Sequence, residues 1–121
     1  MAQLGVSVLF AGLPVGDISA ASAWYERLLG RPPDMRPHAG EATWQVAQAG
    51  WIYVVADVPR AGSGLVTLIV DDLDATLAEL ADRGIQAGSV ETLANGVRKA
   101  TVADPDGNAV SFGEVPSTAE G

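Results

Sequence analysis

The chain repeats itself. LPVGDISAA at 13–21 lies over LIVDDLDAT at 68–76 with a constant offset of 55, so Val15 falls on Val70, Asp17 on Asp72, Ile18 on Leu73 and Ala20 on Ala75. In each half an apolar run meets an acidic residue able to accept bonds from the free N–H groups of a helix start, Asp17 (or Ser19) and Asp72 (or Asp71). Helical spacing follows: Ala21, Trp24 and Leu28 with Tyr25 and Leu29 in the first half, Leu73, Leu77 and Leu80 in the second. Gly30 and Pro32-Pro33 end the first helix, and Gly84 ends the second. Glu79 and Arg83 form a favourable i,i+4 pair on the second helix.

Strand-like runs surround these helices. The first half offers 6–15, 35–38, 43–48 and 51–56, with a hairpin turn at Ala49-Gly50. The second offers 65–70, 89–93, 97–103 and 109–114, with Asn95-Gly96 as a turn whose residues tolerate positive φ. Matching element order makes this a duplicated βαβββ unit. The predicted fold is α+β, one domain of two tandem modules. Module 1 covers about 5–57, a Pro, Gly and Ser-rich linker 58–64, module 2 about 65–115 and a tail 116–121.

Composition narrows the function. The 121 residues suit a single domain and are 48 % hydrophobic, enough for a real core. No apolar run reaches the roughly 20 residues of a membrane span, and MAQLGVSVLF reads as a first strand rather than a signal peptide. Without cysteine there are no disulfides, thiolate metal sites or cysteine nucleophiles, and a cytoplasmic location is the default expectation. A net charge of −8 repels phosphate backbones, so nucleic acid is not an expected partner, and the same charge attracts cations.

The densest polar cluster is ADPDGNAVSF at 103–112. Asp104-Pro105-Asp106-Gly107 fits a type I turn, with Asp at its first position, Pro presetting φ, and Gly able to adopt the left-handed conformation. A calcium loop counted from Asp104 needs Gly at its sixth position and Glu at its twelfth, where Ala109 and Val115 stand. The turn reading holds. Ser111, inside the following apolar run, has no adjacent base, and no nucleophile constellation or phosphate-cradling loop is visible. The remaining acidic side chains lie on or beside helices, in turns, or at strand ends. No carboxylate pair with general acid–base spacing can be named.

LPVGDISAASAWYERLLG at 13–30, VDDLDATLAELADRGI at 70–85 and NGVRKATVADPDGNAVSF at 95–112 resemble the vicinal oxygen chelate superfamily. Its members include glyoxalase I, extradiol dioxygenases, fosfomycin-resistance proteins and bleomycin-binding proteins. The resemblance covers nearly the whole chain. It implies two modules whose curved mixed sheets face each other around a cleft, and a homodimer that completes the cleft. In the metal enzymes of this superfamily His and Glu ligands come from four cleft strands. Those places fall here at Phe10, Leu65, Ser111 and, if Gly50 is matched to Gly107, Val54. None of these offers a metal-binding group beyond one hydroxyl, and a one-residue slip brings in no His, Asp or Glu. Neither a metal nor another cofactor is expected.

Strand parity then sorts the faces. With Phe10 in the cleft go Val8 and Gly12; with Leu65 go Thr67 and Ile69; with Ser111 go Ala109 and Gly113. Trp44 is a candidate to stack on a planar ligand, and Arg98 to hold an anionic group, with Lys99 on the opposite, solvated face. Trp24, Trp51 and Tyr53 are expected in the core or an interface. His38 is the one group able to act as a base near neutral pH. The expected ligand-binding set is Phe10, His38, Trp44, Val54, Leu65, Thr67, Arg98 and Ser111, with no catalytic residue. The first reading is a metal-independent binding protein for a small apolar or aromatic molecule, cationic ones included. The alternatives are a metal-free isomerase or lyase on the same fold, and a structural or regulatory module with a closed cleft.

Overall fold

Both halves fold in the same order. In the computed structural model, which describes residues 4–117, strand β1 (Leu9–Val15) leads into helix α1 (Ile18–Leu29), then β2 (Glu41–Ala47) and β3 (Gly50–Ala56). A 3₁₀ turn at Val58–Arg60 precedes β4 (Leu65–Ile69), α2 (Leu73–Asp82), β5 (Glu91–Thr92), β6 (Arg98–Ala103) and β7 (Ala109–Glu114). The first sheet runs β1-β3-β2, the second β4-β7-β6-β5. β1 is parallel to β3 as β4 is to β7, and each module closes with an antiparallel hairpin. This is the expected α+β fold of two βαβββ modules.

The duplicated Asp residues do the same work in both halves. Asp17 accepts from the N–H groups of Ser19 and Ala20, and Asp72 from that of Ala75. Gly30 ends α1 in the left-handed conformation at φ 79°, where a side chain would be strained. The C-termini of α1 and α2 meet, and arginines satisfy their exposed carbonyls. Arg83 donates to the carbonyls of Arg27 and Leu28, and Arg27 donates to that of Arg83.

Two expected strands are shorter than their apolar runs. The 35–38 segment contributes a single bridge, Met35 to Thr43, because Pro37 within it and Pro33 just before it lack the N–H a ladder needs. The 89–93 run pairs only over β5, an edge strand whose partner β6 starts at Arg98. Among the described residues, no helix is long and apolar enough to cross a membrane.

Each helix covers one face of its sheet. Leu13, Val15, Ala42, Trp44, Ile52 and Val54 are buried with Ala21, Tyr25 and Leu28 of α1; Val102, Val110 and Phe112 are buried with Leu73 and Leu80 of α2. Burying each Leu- or Phe-sized side chain contributes about 1.5–3 kcal/mol.

The 104–108 turn fastens the modules together. Asp104 Oδ1 accepts from the N–H groups of Asp106, Gly107 and Asn108 at 2.8–2.9 Å, and Gly107 has φ 103°. Asp104 Oδ2 accepts from the Tyr25 hydroxyl of α1 at 2.8 Å and from Asn108 Nδ2 at 2.7 Å. Asn108 also donates to the Pro14 carbonyl at 2.8 Å and accepts from Gly64 N–H at 2.7 Å. One buried Asp–Asn pair thus ties β1, α1, the inter-module segment and β7. With both Asp104 oxygens engaged in this way, the DPDG cluster is structural.

Candidate functional site

The sheet faces turned away from the helices are uncovered in part: Phe10, Leu65 and Ile69 are exposed, while Pro14, Thr43, Ser111 and Gly113 are buried. Alternation along the paired strands defines their rows. On the first sheet the rows are Gln45–Trp51–Phe10, Thr43–Tyr53–Gly12 and Glu41–Val55–Pro14. On the second they are Leu65–Ala109–Ala103, Thr67–Ser111–Thr101 and Ile69–Gly113–Lys99. Phe10 is 47 % exposed, Leu65 77 % and Ile69 58 %, so these apolar side chains meet no covering layer among the described residues.

Three aromatic rings form a tray on the first face. Phe10 stacks on Trp51 with centroids 5.5 Å apart and planes 17° off parallel, and Tyr53 tilts against Phe10 at 6.4 Å. Gly12 permits this. A Cβ there would lie 2.5 Å from Tyr53 Cζ, so the phenol ring rests directly over bare backbone. On the second face Ser111 is buried between two threonines, and its Oγ lies 2.8 Å from Thr101 Oγ1. Thr67 completes this hydroxyl row, with Leu65 and Ile69 on either side of it along β4.

Of the residues expected to bind ligand, Phe10, Leu65, Thr67 and Ser111 stand on the uncovered faces. Three others do not, which corrects the expectation. Trp44 is fully buried on the helix side, with its Nε1–H donating to the Arg31 carbonyl at 2.9 Å and Tyr25 6.1 Å away. Val54 is buried in the row Ala42–Val54–Leu13. Arg98 points to the helix side, where its Nη2 meets Asp74 of α2 at 2.9 Å and its Nη1 meets Glu114 at 3.9 Å. The Asp74 hydrogen bond raises the guanidinium pKa above its ordinary value. Lys99 takes the uncovered face instead.

The register explains the slip at Val54. Leu65 pairs with Ala109 as Phe10 pairs with Trp51, so two residues further on Ser111 and Tyr53 are counterparts. Gly107 precedes β7 by two residues, whereas Gly50 already belongs to β3. Matching these two glycines shifts the first half by one and turns Tyr53 and Trp51 to the wrong face.

His38 lies exposed in the loop before β2. Its Nε2 is 3.1 Å from Glu41 Oε1, and its Nδ1 accepts from Gly40 N–H at 3.1 Å. Both ring nitrogens are engaged, so a proton abstracted by Nδ1 would displace the Gly40 bond.

With this register, the four places that the resemblance implies for metal ligands would fall at Phe10, Tyr53, Leu65 and Ser111. A phenyl ring, a phenol, an isobutyl group and a hydroxyl do not make a divalent-cation site at neutral pH. Among the described residues, no group of three or more His, Asp or Glu could hold a metal ion.

A groove of about 550 Å³ runs beside the uncovered faces, between β4 and the start of β1. Its lining is mostly aliphatic, with Val66, Leu68 and Val70 among it, and it also takes in Trp51 of the tray, Thr67, Ile69, Arg31 and Gln45.

A sequence profile of the Glyoxalase/Bleomycin resistance protein/Dioxygenase superfamily matches residues 7–112. The chain belongs to this superfamily. Its fold is similar to that of a glyoxalase/bleomycin resistance protein from Catenulispora acidiphila, at 51 % identity and TM-score 0.84, covering 90 % of this chain and 98 % of that one. It is also similar in fold to a bleomycin resistance determinant encoded on transposon Tn5, at 24 % identity and TM-score 0.75, over 90 % of this chain and 98 % of that one. A bleomycin-binding protein complexed with bleomycin gives 24 % identity and TM-score 0.74, over 89 % and 98 %. No curated protein matches the chain significantly.

Proposed function

We propose that this superfamily member is a metal-independent small-molecule binding protein of the bleomycin-resistance type. It works as a cytoplasmic homodimer whose second copy covers the open sheet faces and closes a cleft over the ligand. The observation that carries this reading is the Trp51–Phe10–Tyr53 tray, with Phe10 left 47 % exposed among the described residues. Flat aromatic faces hold planar ligands by stacking and hold cations through the ring quadrupole. The net charge of −8 favours a cationic ligand as it approaches. Leu65, Thr67 and Ser111 supply a second wall that is apolar with a narrow hydroxyl strip.

The donor chemistry of the four metal positions supports binding without metal. A side-chain catalyst on the same fold would rely on His38, and the engagement of both its nitrogens counts against that role. A closed-cleft module is disfavoured by the exposure of Phe10 and Leu65.

Quenching of tryptophan fluorescence by metal-free bleomycin and by smaller planar aromatic cations tests the reading. The expected result is saturable binding, weakened by Phe10→Ser by about 2 kcal/mol, or some thirtyfold in Kd. Saturation by none of these ligands, or equal binding by Phe10→Ser, would contradict it.

A further inference from the structure

One basic residue stands apart from the rest. Lys99 is the only lysine in the chain, and the other six basic residues are arginines. Every arginine is engaged. Arg31, Arg36, Arg60 and Arg98 pair with carboxylates, and Arg27 and Arg83 donate to carbonyls where the helices end. The Lys99 ammonium has no hydrogen-bond or ion-pair partner among the described residues. Glu91 stands opposite it on β5, on the same sheet face, yet no ion pair joins the two.

Its place in the sheet gives that free charge a use. Lys99 is half-buried in the row Ile69–Gly113–Lys99, next to the hydroxyl row Thr67–Ser111–Thr101. Thr67 and Ile69 also line the groove that takes in Trp51 of the tray. β6 lies two strands from β4, a spacing of about 10 Å, and Gly113 puts no side chain between them. A ligand with its ring on the tray can therefore reach the ammonium with a short arm.

A half-buried charge has lost part of its hydration and gains most from a counter-charge. One ammonium balances one unit of charge, which suits a carboxylate better than a doubly charged phosphate. The exposed Thr101 hydroxyl can donate to the second carboxylate oxygen. The net charge of −8 favours cations at a distance, but salt screens it beyond about 8 Å. At contact the ammonium decides.

We propose that Lys99 is a specificity residue of the tray site, selecting planar aromatic molecules that carry a carboxylate on a short arm, with the ring on the tray and the carboxylate on the Lys99 ammonium and the Thr101 hydroxyl. The inference rests on the tray reading and adds an acid group to its ligand.

Calorimetry with naphthalene bearing a carboxylate directly, or on a two- or four-carbon arm, each set against the matching primary amide, tests this. At least one acid should bind about tenfold tighter than its amide, a preference that runs against the net charge of the protein. Lys99→Met should remove the preference, Lys99→Arg should keep most of it, and Glu91→Gln should increase it. Because the chain has a single lysine, ¹³C labelling at lysine Cε gives one side-chain NMR signal, which the preferred acid should shift saturably and its amide should not. Equal binding of acid and amide in every pair, a preference that survives Lys99→Met, or a Lys99 signal that stays still while the acid binds would each overturn this inference and leave the tray reading in place. Absence of binding by every acid and every amide would overturn both.

Discussion

Single residues decide two properties of this chain. The Tyr25 hydroxyl reaches across the modules to a buried carboxylate, and burial together with Asp104 raises its pKa far above the usual tyrosine value. The folded chain keeps a proton that the unfolded chain releases above about pH 10, so Tyr25 adds stability below that pH and the contribution is lost as pH rises beyond it. Tyr25→Phe is expected to lower unfolding free energy at pH 7 by about 2 kcal/mol, because a bond to a charged acceptor disappears. Urea melts at pH 7 and above pH 10 check this, and the difference between wild type and variant should shrink at the higher pH. Gly12 is the second such residue. A methyl group there would meet Tyr53 Cζ at 2.5 Å, and the ring, being the end of a side chain, would lift rather than the strand. Gly12→Ala should keep the fold and weaken planar ligands about tenfold by tilting one ring out of the tray, as calorimetry would show.

At the scale of elements, the duplicated caps were legible. An Asp before each helical run predicted two N-termini, and Asp17 and Asp72 both cap. Replacing either by Ala should cost about 1 kcal/mol, seen as a fall in Tm of about 4 °C. The DPDG turn was legible for the same reason, since Asp, Pro and Gly each restrict the backbone in a way that needs no tertiary context. Its register also held unused information. A turn that closes Ala103 against Ala109 puts Thr101 opposite Ser111 and sends Lys99, not Arg98, to the same face. The first half offered no such count. β2 and β3 shift register between Gln45 and Ala47, an irregularity with no Gly or Pro at either residue to announce it. That irregularity leaves the β2–β3 hairpin without a turn from which to count Trp44, which pairs with Ile52 on the helix side, while matching Gly50 with Gly107 is what turned Trp51 and Tyr53 to the wrong face. The parallel pairing of Phe10 with Trp51 joins elements 41 residues apart, a relation no local pattern encodes.

For the whole molecule, the uncovered faces need an explanation. A chain that leaves Phe10, Leu65 and Ile69 exposed on two sheets gains by burying them against a second copy. Sedimentation velocity should show a dimer, and Leu65→Asp should shift it to monomer at the same concentration without loss of helix by circular dichroism. The central claim is that the tray holds its ligand by stacking and shape, with no metal between them. Calorimetric titration of EDTA-treated protein with metal-free bleomycin, set beside the same titration with added Zn²⁺ or Mn²⁺, tests it most directly. The same affinity and stoichiometry are expected in both; binding that vanishes after EDTA and returns with the metal would mean that a metal bridges ligand and protein.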